Sequence, residues 1–320
     1  MQTASRHRPA FQIYAAAVLV LNLAVILWGA LVRATGSGAG CGEHWPLCNG
    51  VVVPQAPAIA TMIEFTHRVT SGLSLIAVLG LFVWSRRLPR KHPARTASAF
   101  ALLFEVMEAI IGAGLVLLGQ VGVNPSVARG YSLSIHLVNT LFLLAALTIA
   151  VWAGGGSGFS WNAKSGGRAW FALCGLGLLL LGISGAIAAL GDTLFRTASL
   201  SAGFHQDFAA GVHPFIRLRV WHPVIAIAVA VCTGLLCFMA IRKQHSEGSV
   251  RAAWALAGII VVQLAVGMIN LGLLAPVPLQ LIHLFFADAL WIAFVVLAAE
   301  WFVAAPASET RPLPEFAERA

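Results

Sequence analysis

The chain has 320 residues, of which 59% are hydrophobic and only 10% are charged. A soluble domain is usually about 25% charged, so the composition excludes a soluble enzyme and indicates an integral membrane protein. The net charge of +8 does not indicate nucleic-acid binding, because almost no sequence remains outside the apolar segments to form a basic surface domain. The basic residues suit contact with anionic lipid headgroups instead.

Eight apolar segments are long enough to cross a bilayer, which takes roughly 20 residues per helix. The sequence therefore predicts an all-α membrane protein of eight transmembrane helices, at about residues 11–32, 62–85, 97–119, 131–153, 169–190, 219–241, 252–273 and 279–303. The first segment is too long for a cleaved signal sequence and has no obvious cleavage site, so we expect it to remain as the first helix.

The basic residues predict the orientation of these segments. Most of them stand before the first segment or after the second, fourth, sixth and eighth, as Arg86, Arg87 and Lys91 do. By the positive-inside rule, both termini lie in the cytoplasm and the chain crosses a bacterial cytoplasmic (inner) membrane several times.

The first outward loop reads GSGAGCGEHWPLCNG and contains Cys41 and Cys48. An oxidising exterior favours a disulfide between them. Such a bond is either a staple for a glycine-rich loop or has an additional redox role, since exposed disulfides can be labile. The other cysteines, Cys174, Cys232 and Cys237, fall within segments and are interpreted as packing residues.

The last four segments repeat features of the first four. Glu108 in EAIIG and Gln263 in QLAVG each stand four residues before a glycine, and they are 263 − 108 = 155 residues apart. His67 and His222 have the same separation, 222 − 67 = 155. Four spans per half keep both halves in the same direction, so the repeat predicts a parallel internal duplication into two pseudo-symmetric four-helix bundles.

The repeat also predicts the domain organisation. An N-terminal bundle (1–153) and a C-terminal bundle (169–303) are joined by a glycine-rich cytoplasmic linker (154–168) and followed by a cytoplasmic tail (304–320). The linker composition is typical of a flexible connection.

One histidine stands near the outward start of the second, fourth, sixth and eighth segments: His67, His136, His222 and His283. Two imidazoles that face each other across a bundle are a ligand set for haem iron, so each half is predicted to bind one haem. Zinc is less apt, because two histidines per half without an adjoining cysteine fall short of its usual ligands. A single histidine within the membrane more often makes a hydrogen bond between two helices. That interpretation explains less well why four histidines are predicted at the same depth.

Charged neighbours of these histidines differ between the halves. Arg68 and Arg33 are predicted partners for haem propionates, with anchoring at the membrane interface as the alternative. Glu64 lies one helical turn before His67, whereas the matching position before His222 is Arg219. This asymmetry predicts chemistry in the N-terminal half and a permanent redox cofactor in the C-terminal half, unless Glu64 only pairs with Arg68 or caps its helix. For the intramembrane acids Glu105, Glu108 and Asp288, an interhelical contact and a proton relay both remain open.

The motifs GALVRATGSGAGCGEHWPLCNG, EFTHR, HLVNTL and HLFFADALW resemble those of the haem A synthase family. The resemblance implies oxidation of the C8 methyl of haem O to a formyl group, in the haem biosynthesis that serves cytochrome oxidase. It implies haem O as the substrate at His67 and His136, with Glu64 near the reacting methyl, and haem b at His222 and His283. Cys41 and Cys48 match the family's outward cysteine pair.

The resemblance also implies partners. Haem O synthase (protohaem farnesyltransferase) supplies the substrate, the electron acceptor is not identified, and a homo-oligomer is allowed. Three features of the sequence differ from the family pattern. Gly42-Glu43-His44 follows the first cysteine, where many relatives have Pro-Asp, and Glu108 stands where glutamine is commoner. Residues 191–218, before the sixth span, carry no second cysteine pair, which some relatives have.

Two other functions compete with this one. The first is a di-haem b-type membrane electron-transfer protein, a quinol or ferric reductase. Proteins that carry electrons across a membrane stack their haems at two depths, whereas all four histidines here are predicted at one depth. The second is a transporter or assembly factor built on the same repeat, which would bind no haem.

Overall fold

The computed structural model describes residues 3–155, 167–243 and 246–302. Over these ranges the chain is α-helical and forms no β-strand. The helices are α1 (Thr3–Ala34), α2 (Ile59–Ser85), α3 (Pro93–Leu117), α4 (Val127–Gly154), α5 (Arg168–Leu194), α6 (Leu200–Phe208), α7 (Pro214–Arg219), α8 (Trp221–Lys243), α9 (Glu247–Gly272) and α10 (Val277–Phe302).

Eight helical segments are long and apolar enough to cross a membrane, and α7 and α8 together form the sixth of them, Pro214–Lys243. This confirms the prediction of an all-α protein with eight transmembrane helices. The predicted ends differ from the observed ones by a few residues, because helices extend past the apolar stretch into polar flanks. Most of the predicted linker (154–168) and all of the predicted tail (304–320) lie outside the described residues.

The eight spans pack as two rings of four. In the first ring, α1 and α3 each contact α2 and α4; in the second, α5 and α9 each contact α8 and α10. The rings meet along α1, α4, α5 and α10. This arrangement is consistent with the two predicted four-helix bundles, while their division into a substrate half and a cofactor half stays a prediction.

Helix α4 belongs to the apolar core of both bundles. Leu147 packs with Phe11 and Leu81 in the first core, whereas Leu144 packs with Leu256 and Leu297 in the second. The indole Nε1 of Trp291 also donates to the Leu141 carbonyl at 2.6 Å, which ties α10 to α4. Helix α4 is therefore the centre of the molecule, and the other spans expose large apolar side chains such as Ile13, Ile76 and Val261, as lipid-facing helices do.

The two bundles also touch at Gly130 of α4 and Phe215 of α7. A Cβ atom at Gly130 would lie 2.6 Å from Cε1 of Phe215, whose side chain is buried. Only glycine permits this approach, since the ring has no room to retreat.

Gly130→Leu should therefore separate α4 from α7 and destabilise the protein by about 1–3 kcal/mol. The measurement is the thermal unfolding of the purified full chain in detergent, followed by tryptophan fluorescence. Gly114→Leu is the matched control, because a Cβ at Gly114 would have no neighbour within 4 Å. Equal melting temperatures for the two variants would contradict the importance of this contact.

Candidate functional site

The four predicted histidines lie at one end of the molecule. Each is roughly two helical turns from the start of its span, and the spans that carry them start at the end where the Cys41–Cys48 loop connects α1 to α2. We call this the disulfide end. The contacts of Arg33 with Thr193 and Gln280 show that both bundles share it.

Each histidine packs against a glycine of a neighbouring helix. A Cβ atom on that glycine would lie between 2.9 and 4.0 Å from the nearest imidazole atom, in the pairs Gly29–His67, Gly112–His136, Gly185–His222 and Gly267–His283. The glycines are also the ones related by the internal repeat. At Gly29, Gly185 and Gly267 a Cβ atom would crowd the imidazole, so glycine leaves room for the ring at these three positions, whereas at Gly112 a Cβ would make an ordinary contact. The sequence alone did not reveal this purpose.

The histidines form two pairs. In the second bundle, the rings of His222 and His283 have centres 6.3 Å apart and planes at 88°. Nitrogens turned towards each other at this separation would be about 4 Å apart, close to two metal–nitrogen bonds of about 2.0–2.1 Å each. In the first bundle, His67 of α2 and His136 of α4 stand on opposite helices of the ring and pack against Gly29 of α1 and Gly112 of α3. The spacing in the second bundle fits one metal ion between two imidazoles.

The ring nitrogens have unequal partners. Nδ1 of His136 contacts the Glu108 carboxylate, and Nδ1 of His222 lies 3.0 Å from the Ser184 hydroxyl. Nε2 of His283 lies 3.4 Å from the Gln263 side-chain nitrogen. Among the described residues, Nδ1 of His67 and Nδ1 of His283 are buried without a hydrogen-bond partner, and the polar contact of the equally buried Nδ1 of His136 is the ion pair with Glu108. Buried nitrogens of this kind normally have a partner, so the donor set suits a ligand from outside the polypeptide.

The Glu108 carboxylate is held by three groups of α4. Besides His136, its Oε1 accepts from Nδ2 of Asn139 at 2.6 Å and from Oγ1 of Thr140 at 3.0 Å. Glu108 therefore makes an interhelical contact, one of the two roles left open for it. The sequence analysis did not single out Asn139 and Thr140, although they follow His136 by three and four residues and so share its helix face.

Glu64 is 3% exposed and has both carboxylate oxygens engaged. Oε1 accepts from Nη2 of Arg68 at 2.5 Å, and Oε2 accepts from the Cys41 backbone N–H at 2.8 Å. The pairing with Arg68, stated above as an alternative, is thus formed. Its role near a reacting methyl stays a prediction.

The predicted Cys41–Cys48 disulfide is formed. The second terminal nitrogen of Arg68 donates to the backbone carbonyls of His44 and Leu47, at 2.6 and 2.7 Å. Arg68 and Glu64 together therefore fasten the disulfide loop to the start of α2.

Arg33 links the two bundles. Its Nη1 donates to the Ala189 carbonyl at 2.8 Å and to the Thr193 hydroxyl at 2.9 Å, and its Nη2 donates to Oε1 of Gln280 at 2.9 Å. All three partners belong to the second bundle, which the sequence did not indicate. Its role towards a propionate, like that of Arg68, stays a prediction.

Helix α6 was absent from the sequence-based prediction. Its polar side chains meet Arg219, which donates to Asp207 at 2.6 Å, to Gln206 at 3.0 Å and to Asp192 of α5 at 3.3 Å. Arg219, the counterpart of Glu64 in the repeat, thus anchors the outer connection of the second bundle. The two remaining acids, Glu105 and Asp288, are buried, and each has one oxygen without a partner among the described residues. An interhelical contact and a proton relay both remain open for them.

The family model described as cytochrome oxidase assembly protein matches residues 12–295. The chain belongs to this family. A protoheme IX farnesyltransferase from Thermus thermophilus is 47% identical over 288 residues, which cover 89% of this chain and 47% of that relative. The heme A synthase of Alkalihalophilus pseudofirmus is 42% identical over 111 residues, 34% of this chain and 37% of that relative. The heme A synthase of Geobacillus kaustophilus is 36% identical over 137 residues, 42% of this chain and 41% of that relative.

The chain spans about half the length of the curated relatives it matches first, and less of the heme A synthases. The resemblance to haem A synthases, inferred from the motifs, is confirmed by the family match and by these relatives.

Arg68→Met should loosen the disulfide loop, because it removes the hydrogen bonds to His44, Leu47 and Glu64. We expect reduction of the disulfide by a phosphine to become several-fold faster, measured by thiol labelling and mass spectrometry of the full chain. Arg86→Met is the control, since Arg86 lies over the Phe82 ring at the opposite end of α2. Unchanged reduction of the Arg68 variant would show that the loop is held by other contacts.

Proposed function

We propose that this chain carries haem A synthase activity, the oxidation of the C8 methyl of haem O to a formyl group for cytochrome oxidase. The observation that carries the proposal is the set of two histidine pairs, one per four-helix bundle, with a glycine opposite every imidazole. Planar macrocycles need two facing ligands and flat apolar surroundings, and bundles provide both. The family match and the heme A synthase relatives support the same activity.

We assign haem O to His67 and His136, and a resident haem b to His222 and His283. The support is chemical asymmetry: among the described residues, the carboxylate that contacts a predicted ligand belongs to the first pair. Glu108 contacts His136, and Glu64 lies one turn before His67, whereas neutral Ser184 and Gln263 contact the second pair. A site that carries out chemistry has use for charged groups, while a site that only passes electrons needs stable ligation.

The residues of the first bundle act on the substrate as follows. His67 and His136 bind and orient haem O. Arg68 keeps Glu64 in place, and the Glu64 carboxylate stabilises positive charge that develops at the methyl as it is oxidised, in surroundings of low dielectric constant. The same carboxylate accepts a proton from the water or hydroxyl that attacks. Each of two successive two-electron oxidations would replace one C–H bond of the methyl by a C–O bond to the oxygen of a water, release two protons and pass two electrons to an external electron acceptor. The resulting geminal diol loses water to leave the formyl group.

The second bundle serves this chemistry through its ligands. Haem b, when bound, supplies one-electron transfer. His222 and His283 hold it, and Ser184 and Gln263 orient the two imidazoles. Arg33 keeps the bundle carrying these ligands fixed to the substrate bundle.

We further propose that the chain lies in a bacterial cytoplasmic membrane with both termini in the cytoplasm and the disulfide end outward. Basic side chains at the opposite end, such as Arg86, Arg87 and Arg95, support this orientation. A disulfide at the outward end suits an oxidising compartment.

A protohaem farnesyltransferase is the proposed source of the substrate. The Thermus relative bears that name, and this chain matches only 47% of it. A relative that joins the matching region to as much sequence again supports a close association of the two activities.

The di-haem electron-transfer protein is the second candidate function that sequence analysis left open. Both histidine pairs stand at the disulfide end, which leaves no haem ligand pair near the other end among the described residues. Electron transfer across the whole bilayer would therefore lack a haem site near the opposite end. The relatives do not support this alternative either.

The decisive experiment expresses the full chain with a haem O synthase in a bacterium that makes no haem A. Haems extracted from the purified protein are separated by chromatography. Haem A or its hydroxylated intermediate is expected. Haem b alone would favour the electron-transfer protein, and a colourless protein would favour a transporter.

Glu64→Gln should lower the yield of haem A at least tenfold, since electrostatic and general-base contributions are typically about 10²–10⁴-fold. Haem b should stay bound in the same preparation. Glu43→Gln, in the exposed part of the disulfide loop, is the control and should leave the yield unchanged. Full production of haem A by the Glu64 variant would remove this residue from the mechanism.

Gly267→Val should abolish binding of haem b, because a Cβ atom there would lie 3.0 Å from Cε1 of His283 and displace the ring. The measurement is haem b per protein, by absorbance and extraction. Gly258→Val on the same helix is the matched control, since a Cβ there meets nothing within 4 Å. If the Gly267 variant kept its full haem b content, the assignment of His283 as a ligand would be wrong.

A further inference from the structure

The four imidazoles differ in how firmly their orientation is held. His136 is the one that contacts a carboxylate, that of Glu108, within the described residues. The other carboxylate oxygen of Glu108 is itself fixed by Asn139 and Thr140, and Asn139 is in turn bound to the Phe104 carbonyl at 2.9 Å. His136 thus contacts a carboxylate whose own position is fixed by hydrogen bonds to α4, one of which continues to the backbone of α3.

His67, its partner in the first bundle, is held much less. Its Nδ1 is buried and has no hydrogen-bond partner among the described residues. Its ring is restrained by packing against Gly29. No hydrogen bond of the described chain therefore selects its tautomer or fixes the rotation of its ring.

The second bundle shows neither extreme. Gln263, which occupies the position of Glu108 in the repeat, lies 3.4 Å from His283, and Ser184 lies 3.0 Å from His222. Both histidines there lie near a neutral polar group, although Nδ1 of His283, like that of His67, is buried without a hydrogen-bond partner among the described residues. The contrast between a carboxylate-supported and an unsupported imidazole is confined to the first bundle.

A carboxylate that accepts the Nδ1–H of a histidine fixes the tautomer, points Nε2 outward as a ligand and strengthens its electron donation to a metal. A neutral amide has these effects to a smaller degree. An imidazole without a hydrogen-bond partner does not receive them. The two faces of an iron bound between His136 and His67 would therefore meet donors of different strength.

We propose that Glu108 is a positioning residue that, through His136, makes the two ligands of the substrate haem unequal: His136 is the retained ligand and His67 the exchangeable one. This rests on the proposed function, in which the first bundle binds haem O. The inequality suits a substrate that must enter and leave, because only one bond has to break for the macrocycle to loosen. The resident haem of the second bundle has no such requirement, and neither of its ligands contacts a carboxylate among the described residues.

The first test compares His67→Ala with His136→Ala in the purified full chain, titrated with haem O. His67→Ala should keep haem O within a few-fold of the wild-type affinity and show a five-coordinate, high-spin spectrum. His136→Ala should weaken haem O binding at least tenfold. Haem b retained in the same samples reports that the second bundle is folded, and unchanged protection of the Cys41–Cys48 disulfide from reduction reports that the first bundle is folded.

The second test addresses Glu108 directly. Glu108→Gln keeps the shape of the side chain but removes the carboxylate, so haem O should bind about tenfold more weakly, and its midpoint potential should become more positive. Glu105→Gln, one turn earlier on α3, is the matched control and should change neither quantity. Gln263→Glu transfers the carboxylate to the second bundle and should make the potential of haem b more negative without altering haem O binding.

The outcomes separate the two proposals. Wild-type protein that binds no haem O would overturn the proposed function. Binding of haem O that is lost equally in both histidine variants, or that keeps its affinity and potential in Glu108→Gln, would overturn the inference alone. A merely structural role for Glu108 would also leave the potential unmoved.

Discussion

The structure depends on close packing between helices at the places where polar rings enter the hydrocarbon. An imidazole near a bilayer costs free energy unless its nitrogens are satisfied, and it needs space that a packed helix pair does not normally leave. Glycine on the facing helix provides the space for His67, His222 and His283. These contacts bring particular helices together, so the fold and the positions of the imidazoles follow from one requirement.

The fold could be predicted from the sequence because its signals are local. The length of each apolar run indicated the eight spans, and the repeated spacing of Glu108 and Gln263 with their glycines indicated two related halves. The four histidines could be selected for the same reason, since each lies at a fixed distance from the start of its span. Their depth is a property of single helices, not of contacts between them.

What could not be predicted lies between segments that are distant in the chain. Arg33 was expected to face a ligand of its own half, yet its guanidinium reaches three groups across the bundle boundary. Helix α6 is too short and too polar to show in hydropathy, and its position depends on Arg219. The spacing of Asn139 and Thr140 after His136 shows in the sequence that they share its helix face. Their partner belongs to α3, which approaches them only in the folded structure.

The hydrogen bonds of Arg33 restrain the distance between the two bundles. Because one guanidinium on α1 holds α5 and α10 at once, the bundles cannot separate or slide at this end without losing three hydrogen bonds. Under the proposed function, this joint would keep the two haems at one separation, and electron tunnelling weakens steeply as two redox centres move apart. A bulky planar substrate would then enter from the lipid-facing flank of a bundle and not along the seam between the halves.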